Sequence, residues 1–401
     1  TTNAGARPYF VVEYRNSAGL ESYYTYQTHS IDRAGTGYIG DYSGQLTLVK
    51  NDVSSASTSN PVAINHVYNS AYSKAASSAI NAVTETYGSM GVGRGWMLDI
   101  QQAIIPGNTG YLIYFDGDGT VHYFQGSGTQ YTDEDGLGLT ITKSGTNYTL
   151  KDKKDNISYF SDGLLSYTQD ANGNKVTYVR DSDDVILSVT RQNSGGSVET
   201  IATFTYDSFG NISTITDSAN NTTTFNYSGT DILSGVTHAD GTSVSYTYDA
   251  NGKLLSATDN ESGYSMNYEY DANTGKVKKF YEVAGGTTGA IVEAEGAFTG
   301  IQTYRYCGAD RVLGNSDDIV SHSVMDYFGR TTSSYSTNYD GTLVYGASAT
   351  AYNANTGTSA TNNRALISTQ TGVQSVNLLG YPSVEGTSNM ATAGWGFSGG
   401  G

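Results

Sequence analysis

The feature that most constrains the fold is a tyrosine that recurs at a nearly fixed interval. Four tyrosines are separated by 21, 21 and 22 residues in a chain of 401: Tyr206, Tyr227, Tyr248 and Tyr270. Three of them open a turn from aspartate to glycine: Asp207 to Gly210, Asp249 to Gly252 and Asp271 to Gly275. The turn after Tyr227 is degenerate. Such a period indicates repeated units that must stack, because one short unit cannot bury its own apolar face.

Each repeat has the residues of a short hairpin. The aspartate accepts hydrogen bonds from amides two residues on, and the glycine adopts the left-handed conformation that side chains resist. Together they predict a type I turn with a bulge. In the segment YTYDANGKLLSATD, which begins at Tyr246, tyrosines two apart point to one face of a strand. A second aspartate falls near mid-repeat, at Asp217, Asp240 and Asp259.

Composition agrees with an all-β fold of many short strands. The chain has 49 glycines and 34 tyrosines but only 4 prolines. Leu, Ile, Val and Phe make up only roughly a fifth of the residues. Tyrosine compensates, because its ring buries apolar area while its hydroxyl reaches a partner at a wet edge. Tyr, Thr and Val favour strands, whereas Gly, Asn, Asp and Ser favour turns.

The order of several motifs resembles one family. Tyr-Asp, then Gly, a strand and Asp-x-x-Gly is similar to the YD repeat of RHS proteins, teneurins and bacterial toxin-complex shells. INHVYNS (64–70), GRGWMLDI (93–100), DGDGTVHYF (116–124) and YTDEDGLGLTI (131–141) resemble the segment before the repeats in wall-associated RHS proteins of Gram-positive bacteria. The start resembles the link from an upstream DNRLRE-type domain. YRYCGADRVLGNSDDIVSHSVMDYFGRT also fits the pattern, so the likeness spans almost the whole chain.

The resemblance implies hairpins wound into a curved or spiralling antiparallel sheet that forms part of a hollow shell. In several relatives such a shell encloses a toxic C-terminal domain. The chain departs from toxin shells in one respect, because those end in a core motif with an Asp-Pro pair and a self-cleaving aspartyl site. Its prolines follow Arg7, Asn60, Ile105 and Tyr381. We therefore expect that this chain itself lacks the self-cleavage machinery and the toxin. The start TTNAGARPYF is consistent with an excerpt of a longer polypeptide.

Four segments follow from these motifs. We predict a linker and strands from an upstream β domain over 1–60 and a pre-repeat RHS region over 61–160. The YD repeats are expected over 161–345. Residues 346–401 are expected to be a strap followed by the start of a carbohydrate-binding jelly roll.

Helix content should be low, with at most one or two short helices. The alanine-rich segment 71–90 carries Ala76, Ile80 and Val83 on one side of a helix and is the best candidate. Residues 286–300 are a second candidate, for a short helical turn.

No catalytic site is predicted. Paired carboxylates occur at Asp116 with Asp118 and at Asp133 with Asp135, but Asp-Gly turns produce such pairs without catalysis. The five histidines lack close metal-ligand spacing, and Cys307 is interpreted as a small buried hydrophobe. No phosphate-binding loop is present in the sequence.

The one candidate cofactor is calcium. The segment GADRVLGNSDDIV places four side-chain oxygen ligands on a glycine-containing loop: Asp310, Asn315, Asp317 and Asp318. The spacing is not that of an EF-hand, and a solvated turn is the alternative.

The net charge and the lack of a long apolar run limit the partners and the cellular location that the sequence predicts. A formal net charge of −17 argues against nucleic acid, and no apolar run approaches the ~18 residues of a membrane helix. We predict a non-catalytic scaffold of a secreted or cell-wall-associated bacterial protein, a shell or stalk that carries a C-terminal effector of the same polypeptide. Two alternatives stay open: a surface module that binds glycans in adhesion, and a self-associating extracellular fibre.

Overall fold

The described part of the chain forms twenty-nine strands, and almost every one pairs with its neighbour in sequence. The structure is a computed structural model that describes residues 19–21, 23–58, 60–73, 91–295, 301–326, 329–342, 344–352 and 365–371. Within those ranges the helical elements are two short 3₁₀ turns, Asp32–Ala34 and Ser70–Tyr72. The prediction of an all-β, antiparallel fold is confirmed.

The first sheet has five strands in sequence order. They are β1 (Tyr26–Ser30), β2 (Thr36–Gly40), β3 (Leu46–Ser55), β4 (Val62–Asn69) and β5 (Trp96–Leu98). We call it the lining sheet.

The second sheet, which we call the wound sheet, holds the other 24 strands. Its first half comprises β6 (Ala103–Pro106), β7 (Tyr111–Phe115), β8 (Val121–Ser127), β9 (Gln130–Asp133), β10 (Thr140–Ser144), β11 (Asn147–Lys151), β12 (Ile157–Ser161), β13 (Leu164–Gln169), β14 (Lys175–Arg180), β15 (Ile186–Gln192), β16 (Val198–Tyr206) and β17 (Ile212–Asp217). Its second half comprises β18 (Thr222–Ser228), β19 (Ile232–Thr237), β20 (Ser243–Tyr248), β21 (Leu254–Asp259), β22 (Tyr264–Tyr270), β23 (Val277–Ala284), β24 (Thr287–Glu295), β25 (Ile301–Tyr306), β26 (Ile319–Met325), β27 (Thr331–Asn338), β28 (Val344–Tyr352) and β29 (Ala365–Thr371).

The wound sheet begins by closing on itself. Strand β13 returns to β6 through the pair Leu164↔Ala103, so β6 to β13 form a ring of eight strands. A ring of this size is just wide enough for side chains to fill. The residues that fill it form one buried cluster: Ile104, Leu112, Tyr114, Phe124, Tyr131, Ile141, Tyr148, Leu150, Phe160 and Leu165.

From β14 onward the wound sheet continues over the lining sheet. One buried cluster joins apolar residues of both sheets, including Ile39, Leu48 and Trp96 from the lining sheet and Val236 and Tyr268 from the wound sheet. The alternating pattern of the repeats makes this contact, because every second residue of a strand faces the same side.

A bulge occurs at the same place in successive repeats. The pairing register shifts at the step into Tyr206, Tyr227, Tyr248 and Tyr270. A bulge bends its strand and increases the local twist, so a bulge in every repeat gives the sheet a steady curvature. This repeated bend is the physical origin of the winding.

Two helix predictions have different outcomes. The helical turn predicted over 286–300 is wrong for residues 287–295, which form β24 between β23 and β25. Residues 296–300 lie outside the described residues. Ladder pairing on both edges outweighs the weak local helix preference there. For the segment 71–90, Ala71 and Tyr72 lie in the second 3₁₀ turn, and residues 74–90 lie outside the described residues.

Candidate functional site

The candidate site is the face of the wound sheet that carries the repeat tyrosines. The turns that begin each repeat share one geometry. In the first, the Asp207 carboxylate accepts hydrogen bonds from the amides of Phe209 (2.8 Å) and Asn211 (2.9 Å), and Gly210 adopts a φ of 85°. Equivalent turns occur at Asp249 with Gly252 (φ 78°) and at Asp271 with Gly275 (φ 66°).

These turn carboxylates serve the backbone. The hydrogen bond from the Thr274 amide lowers the pKa of Asp271 below its usual value. An ionised carboxylate is the better acceptor, so the turn is tightest when aspartate is charged.

Each repeat tyrosine ties its strand to the strand before it. The four hydroxyls donate to backbone carbonyls 15 to 20 residues upstream: Tyr206 to Ile186 (2.7 Å), Tyr227 to Ile212 (2.9 Å), Tyr248 to Leu233 (2.6 Å) and Tyr270 to Leu254 (2.9 Å). Burial raises the pKa of Tyr206 to about 12, and that of Tyr227 is raised further by the same cause. All four therefore remain donors at neutral pH.

The tyrosine matters more to the repeat than the turn does. The turn after Tyr227 is degenerate, yet its hydroxyl makes the same bond as the others. Sequence reasoning missed another copy: Tyr352 donates to the carbonyl of Thr331 at 3.0 Å, after a bulge at the same step. The signal was present as Tyr-Asn-Ala-Asn-Thr-Gly from 352 to 357, with asparagine in place of aspartate.

The lining sheet covers this tyrosine face with specific polar contacts. Three rings of the lining sheet meet three tyrosine hydroxyls: Trp96 Nε1 donates to Tyr248 (2.8 Å), His66 Nε2 lies 3.0 Å from Tyr246, and His29 Nε2 lies 2.6 Å from Tyr268. Each contact satisfies a polar atom that would otherwise be buried alone. The tyrosines therefore face a filled interior, and Tyr246 and Tyr268 are almost fully buried.

Two ion pairs add to the contacts between the lining sheet and the wound sheet. Arg33 lies 2.9 Å from the buried carboxylate of Asp259, one of the mid-repeat aspartates. Arg94 lies 2.8 Å from Asp231, and its amide also donates to the Asp231 carbonyl. These pairs join residues more than 130 positions apart in sequence. The site is a joint between two sheets of one chain.

The wound-sheet side of this joint lies in a segment that matches a known protein family. The family model for the teneurin YD-shell matches residues 143–389, which is more than half of the chain and contains all the repeats. This chain belongs to the teneurin YD-shell family. No curated protein matches it.

Solved structures also align with this YD-shell chain. The crystal structure of TcdB2-TccC3 aligns with 11% identity and a TM-score of 0.35, covering 85% of this chain and 22% of that one. For TcdB2-TccC3-TEV the values are 11%, 0.33, 80% and 20%. For the Photorhabdus luminescens Tc holotoxin pore they are 10%, 0.30, 77% and 24%. The chain thus spans between a fifth and a quarter of the length of these chains.

The predicted calcium loop of the YD-shell chain lies between β25 and β26. Asp310 accepts from the amide of Val312 (2.9 Å) and from the side chain of Asn315 (2.7 Å). Asp317 lies beside Gly308. The backbone amide of Asp317 donates to the side-chain oxygen of Asn315 (3.1 Å). Asp318 is 1% exposed; its Oδ2 accepts from Gly314, and its Oδ1 is buried without a hydrogen-bond partner. The four residues lie on one loop, but among the described residues its three carboxylates do not group closely enough to hold a metal ion together. Calcium there stays a prediction.

The acidic pairs of the YD-shell chain occupy different environments. Asp133 accepts from the amides of Leu137, Gly138 and Leu139, so it caps a turn. Asp118 accepts from Leu20 at 2.8 Å.

The two remaining carboxylates flank one histidine. Asp116 lies 3.2 Å from Nε2 of His122, and Asp135 lies 3.7 Å from Nδ1. Glu21 also lies against Nδ1, at 3.3 Å. In the described part of the chain, Glu21, His122 and Asp135 are the residues whose ligand atoms group closely enough to hold a metal ion. His122 is 101 residues from Glu21 and 13 residues from Asp135, so no short sequence motif indicates that the three meet.

The other ionisable groups singled out in the sequence have structural surroundings. His66 is fully buried, with Nδ1 2.8 Å from Asp52. Cys307 is partly buried, not fully as expected, because it follows the last residue of β25; its sulfur accepts from the Ile291 amide. Within the described ranges, no helix has the length and apolar character needed to cross a membrane.

Proposed function

We propose that this chain is a wall segment of an RHS-type shell that carries or encloses a C-terminal effector, a toxin domain, of the same longer polypeptide. The observation that carries the proposal is the winding of 24 consecutive antiparallel strands, of which β11 to β29 lie within the match to the YD-shell family. A sheet that winds and closes protects its pairing edges, which an open sheet of this many strands would expose.

The described segment is a filled part of that wall. The ring of β6 to β13 is packed with side chains, and the lining sheet covers the tyrosine face. Cargo space would therefore be supplied by polypeptide outside the described residues. We propose the division into 1–60, 61–160, 161–345 and 346–401 as its domain plan. In this plan β28 and β29 carry the repeats into the last segment, which then leads into a sugar-binding module over residues outside the described ranges.

We place the protein outside the bacterial cell, secreted or attached to the wall. The net charge of −17 supports a soluble surface that does not bind nucleic acid. We further propose the wall-associated Gram-positive type with an upstream DNRLRE-like domain, on the motif order from residue 64 to residue 141. Its role is structural, with no reaction assigned to its own side chains.

Protease protection of the downstream polypeptide tests the proposal. The chain is produced with the native sequence that follows Gly401 and compared with that downstream sequence alone. We expect digestion of the downstream part to slow at least tenfold when it is attached to the shell. Equal digestion rates would contradict enclosure. Glycan binding by the chain alone would favour adhesion, and concentration-dependent filaments would favour the fibre.

A further inference from the structure

One buried cluster does not belong to the joint between the two sheets. It gathers Glu21 from the segment before β1, His122 from β8 and Asp135 from the loop after β9. The three residues are each 5% exposed or less. His122 is held in place by stacking on Tyr114, with ring centroids 5.4 Å apart.

The charge in this cluster is unbalanced. Glu21, Asp135 and Asp116 surround a single histidine, so even a protonated ring leaves an excess of negative charge. Uncompensated charge is costly in a buried site, so binding of a cation that neutralises the excess would be favourable here.

The ring nitrogen that points into the carboxylates lacks an aligned partner. His122 Nδ1 is buried and makes no hydrogen bond, although it lies 3.3 Å from Glu21 Oε1 and 3.7 Å from Asp135 Oδ2. The three ligand atoms lie within 4.8 Å of one another. Ligands about 2.1 Å from a tetrahedral metal are separated by roughly 3.4 Å, which matches these spacings.

The other ring nitrogen has the partner that metal-bound histidines have. Asp116 Oδ2 lies 3.2 Å from Nε2 of His122. A carboxylate in this position fixes the tautomer that leaves the opposite nitrogen free to coordinate, and it raises the basicity of that nitrogen. The FDGDGT turn thus supplies the orienting residue: Asp116 Oδ1 accepts from the Asp118 amide within the turn, and Oδ2 faces the ring.

We propose that a divalent cation of the Zn²⁺ type binds between Nδ1 of His122 and the carboxylates of Glu21 and Asp135, with Asp116 orienting the ring. Imidazole with carboxylate is a ligand set for Zn²⁺ and similar first-row ions, whereas calcium prefers oxygen alone. The ion clamps the segment before β1 onto the wound sheet. The bond from the Leu20 amide to Asp118 holds the same segment beside the cluster.

Metal titration of the full 401-residue chain tests the site. The protein is stripped with a chelator, dialysed and titrated with ZnCl₂, MnCl₂ or CaCl₂ by calorimetry, and bound metal is counted by mass spectrometry. We expect one Zn²⁺ per chain and a higher melting temperature with Zn²⁺. Glu21→Gln and Asp135→Asn should weaken Zn²⁺ binding more than 100-fold, and Asp116→Asn by 10- to 100-fold. Glu261→Gln, at an exposed carboxylate away from both candidate metal sites, is the matched control and should bind Zn²⁺ as the wild type does.

A stability measurement keeps the proposal open to disproof if a variant misfolds. Glu21→Gln removes a buried charge, so its metal-free form should be at least as stable as the metal-free wild type. Failure of the wild type to bind Zn²⁺ overturns the proposal. So does equal Zn²⁺ affinity in Glu21→Gln and Glu261→Gln. Neither outcome depends on the shell carrying cargo, so the site and the proposed function stand or fall separately.

Discussion

The lining sheet and the repeats of the wound sheet share one core but are held together by contacts of opposite range. In the repeats, each turn aspartate bonds amides two to four residues away, and each tyrosine reaches 15 to 20 residues back. In the lining sheet, the contacts of His29, His66 and Trp96 reach 150 to 240 residues along the chain. This difference indicates that contacts between near neighbours in sequence specify the winding of the repeats. The joint, by contrast, forms only after both sheets have formed.

The sharpest way to break the joint is to remove its central ring. Trp96 is 1% exposed and packs on Tyr246 with ring centroids 4.7 Å apart. We expect Trp96→Ala to lower the free energy of unfolding by about 4 kcal/mol, since it leaves a cavity and removes the hydrogen bond that the Tyr248 hydroxyl accepts. Denaturant unfolding measures this. Phe209→Ala, which truncates a ring 63% exposed, is the control and should change stability by less than about 0.5 kcal/mol. Similar losses in both variants would mean that Trp96 is not at a joint.

Valine substitutions at two glycines distinguish the cost of backbone strain in a turn from the cost of a clash with the connection between β4 and β5 of the lining sheet. Gly210 and Gly252 both have positive φ, but a Cβ at Gly252 would lie 2.7 Å from the Ser73 carbonyl oxygen, whereas nothing lies within 4 Å at Gly210. We expect Gly210→Val to cost roughly 1–2 kcal/mol from backbone strain and Gly252→Val about 3 kcal/mol.

Thermal and denaturant unfolding of both glycine variants measure the difference. Lys253→Ala, beside the second turn, should cost less than Gly252→Val. If the two valine variants were equally destabilised, the close approach to Ser73 would be disproved. If Gly252→Val matched Lys253→Ala, the turn itself would be misassigned.

The joint should weaken in acid through His29. Burial lowers the pKa of His29 to about 4, below the ~6.5 of an unfolded chain. Between pH 6.5 and pH 4 the His29 ring is protonated in the unfolded state but neutral in the folded state. The contribution of His29 to stability is therefore complete above pH 6.5 and is lost as the pH falls toward 4. We expect a loss of about 3 kcal/mol across this window. His29→Gln should flatten the difference curve; an unchanged slope in that variant would assign the effect to other groups.

Calcium would act on the repeats and leave the joint unchanged. The four oxygen residues from Asp310 to Asp318 lie between two strands of the wound sheet, and Asp318 Oδ1 is buried without a hydrogen bond. At about ten times its dissociation constant, bound calcium would add about 1.4 kcal/mol and raise the melting temperature. Calorimetric scans with calcium or chelator, on the wild type and Asp318→Asn, check this. An identical melting temperature with and without chelator removes the site.

The smallest expected effect is local to one repeat. Tyr227→Phe deletes the hydroxyl bond to the Ile212 carbonyl and keeps the ring. We expect a loss of about 1 kcal/mol, typical of one buried hydrogen bond. Tyr38→Phe, in the lining sheet away from the repeat ladder, is a size-matched control. Hydrogen exchange should show faster opening confined to β17 and β18; a global change would mean that the ladder is cooperative with the joint.

Local chemistry explains why the winding was predictable. Positive φ at Gly210 and amide bonds to Asp207 need only neighbours within four residues, so a single sequence displays them. The same reasoning failed where distant pairing decided, as at 287–295, where two ladder edges turned an expected helical turn into β24. It also overlooked Tyr352, whose asparagine hid the pattern.

The sequence by itself determined the period, the strand and turn type, and the family, since these follow from side chains acting on their own backbone. Tertiary structure alone decided that the lining sheet covers the tyrosine face and that Glu21, His122 and Asp135 meet. The physical reason is that packing and electrostatics act through space: residues 101 and 13 positions apart interact only after the sheet has wound and removed water from between them.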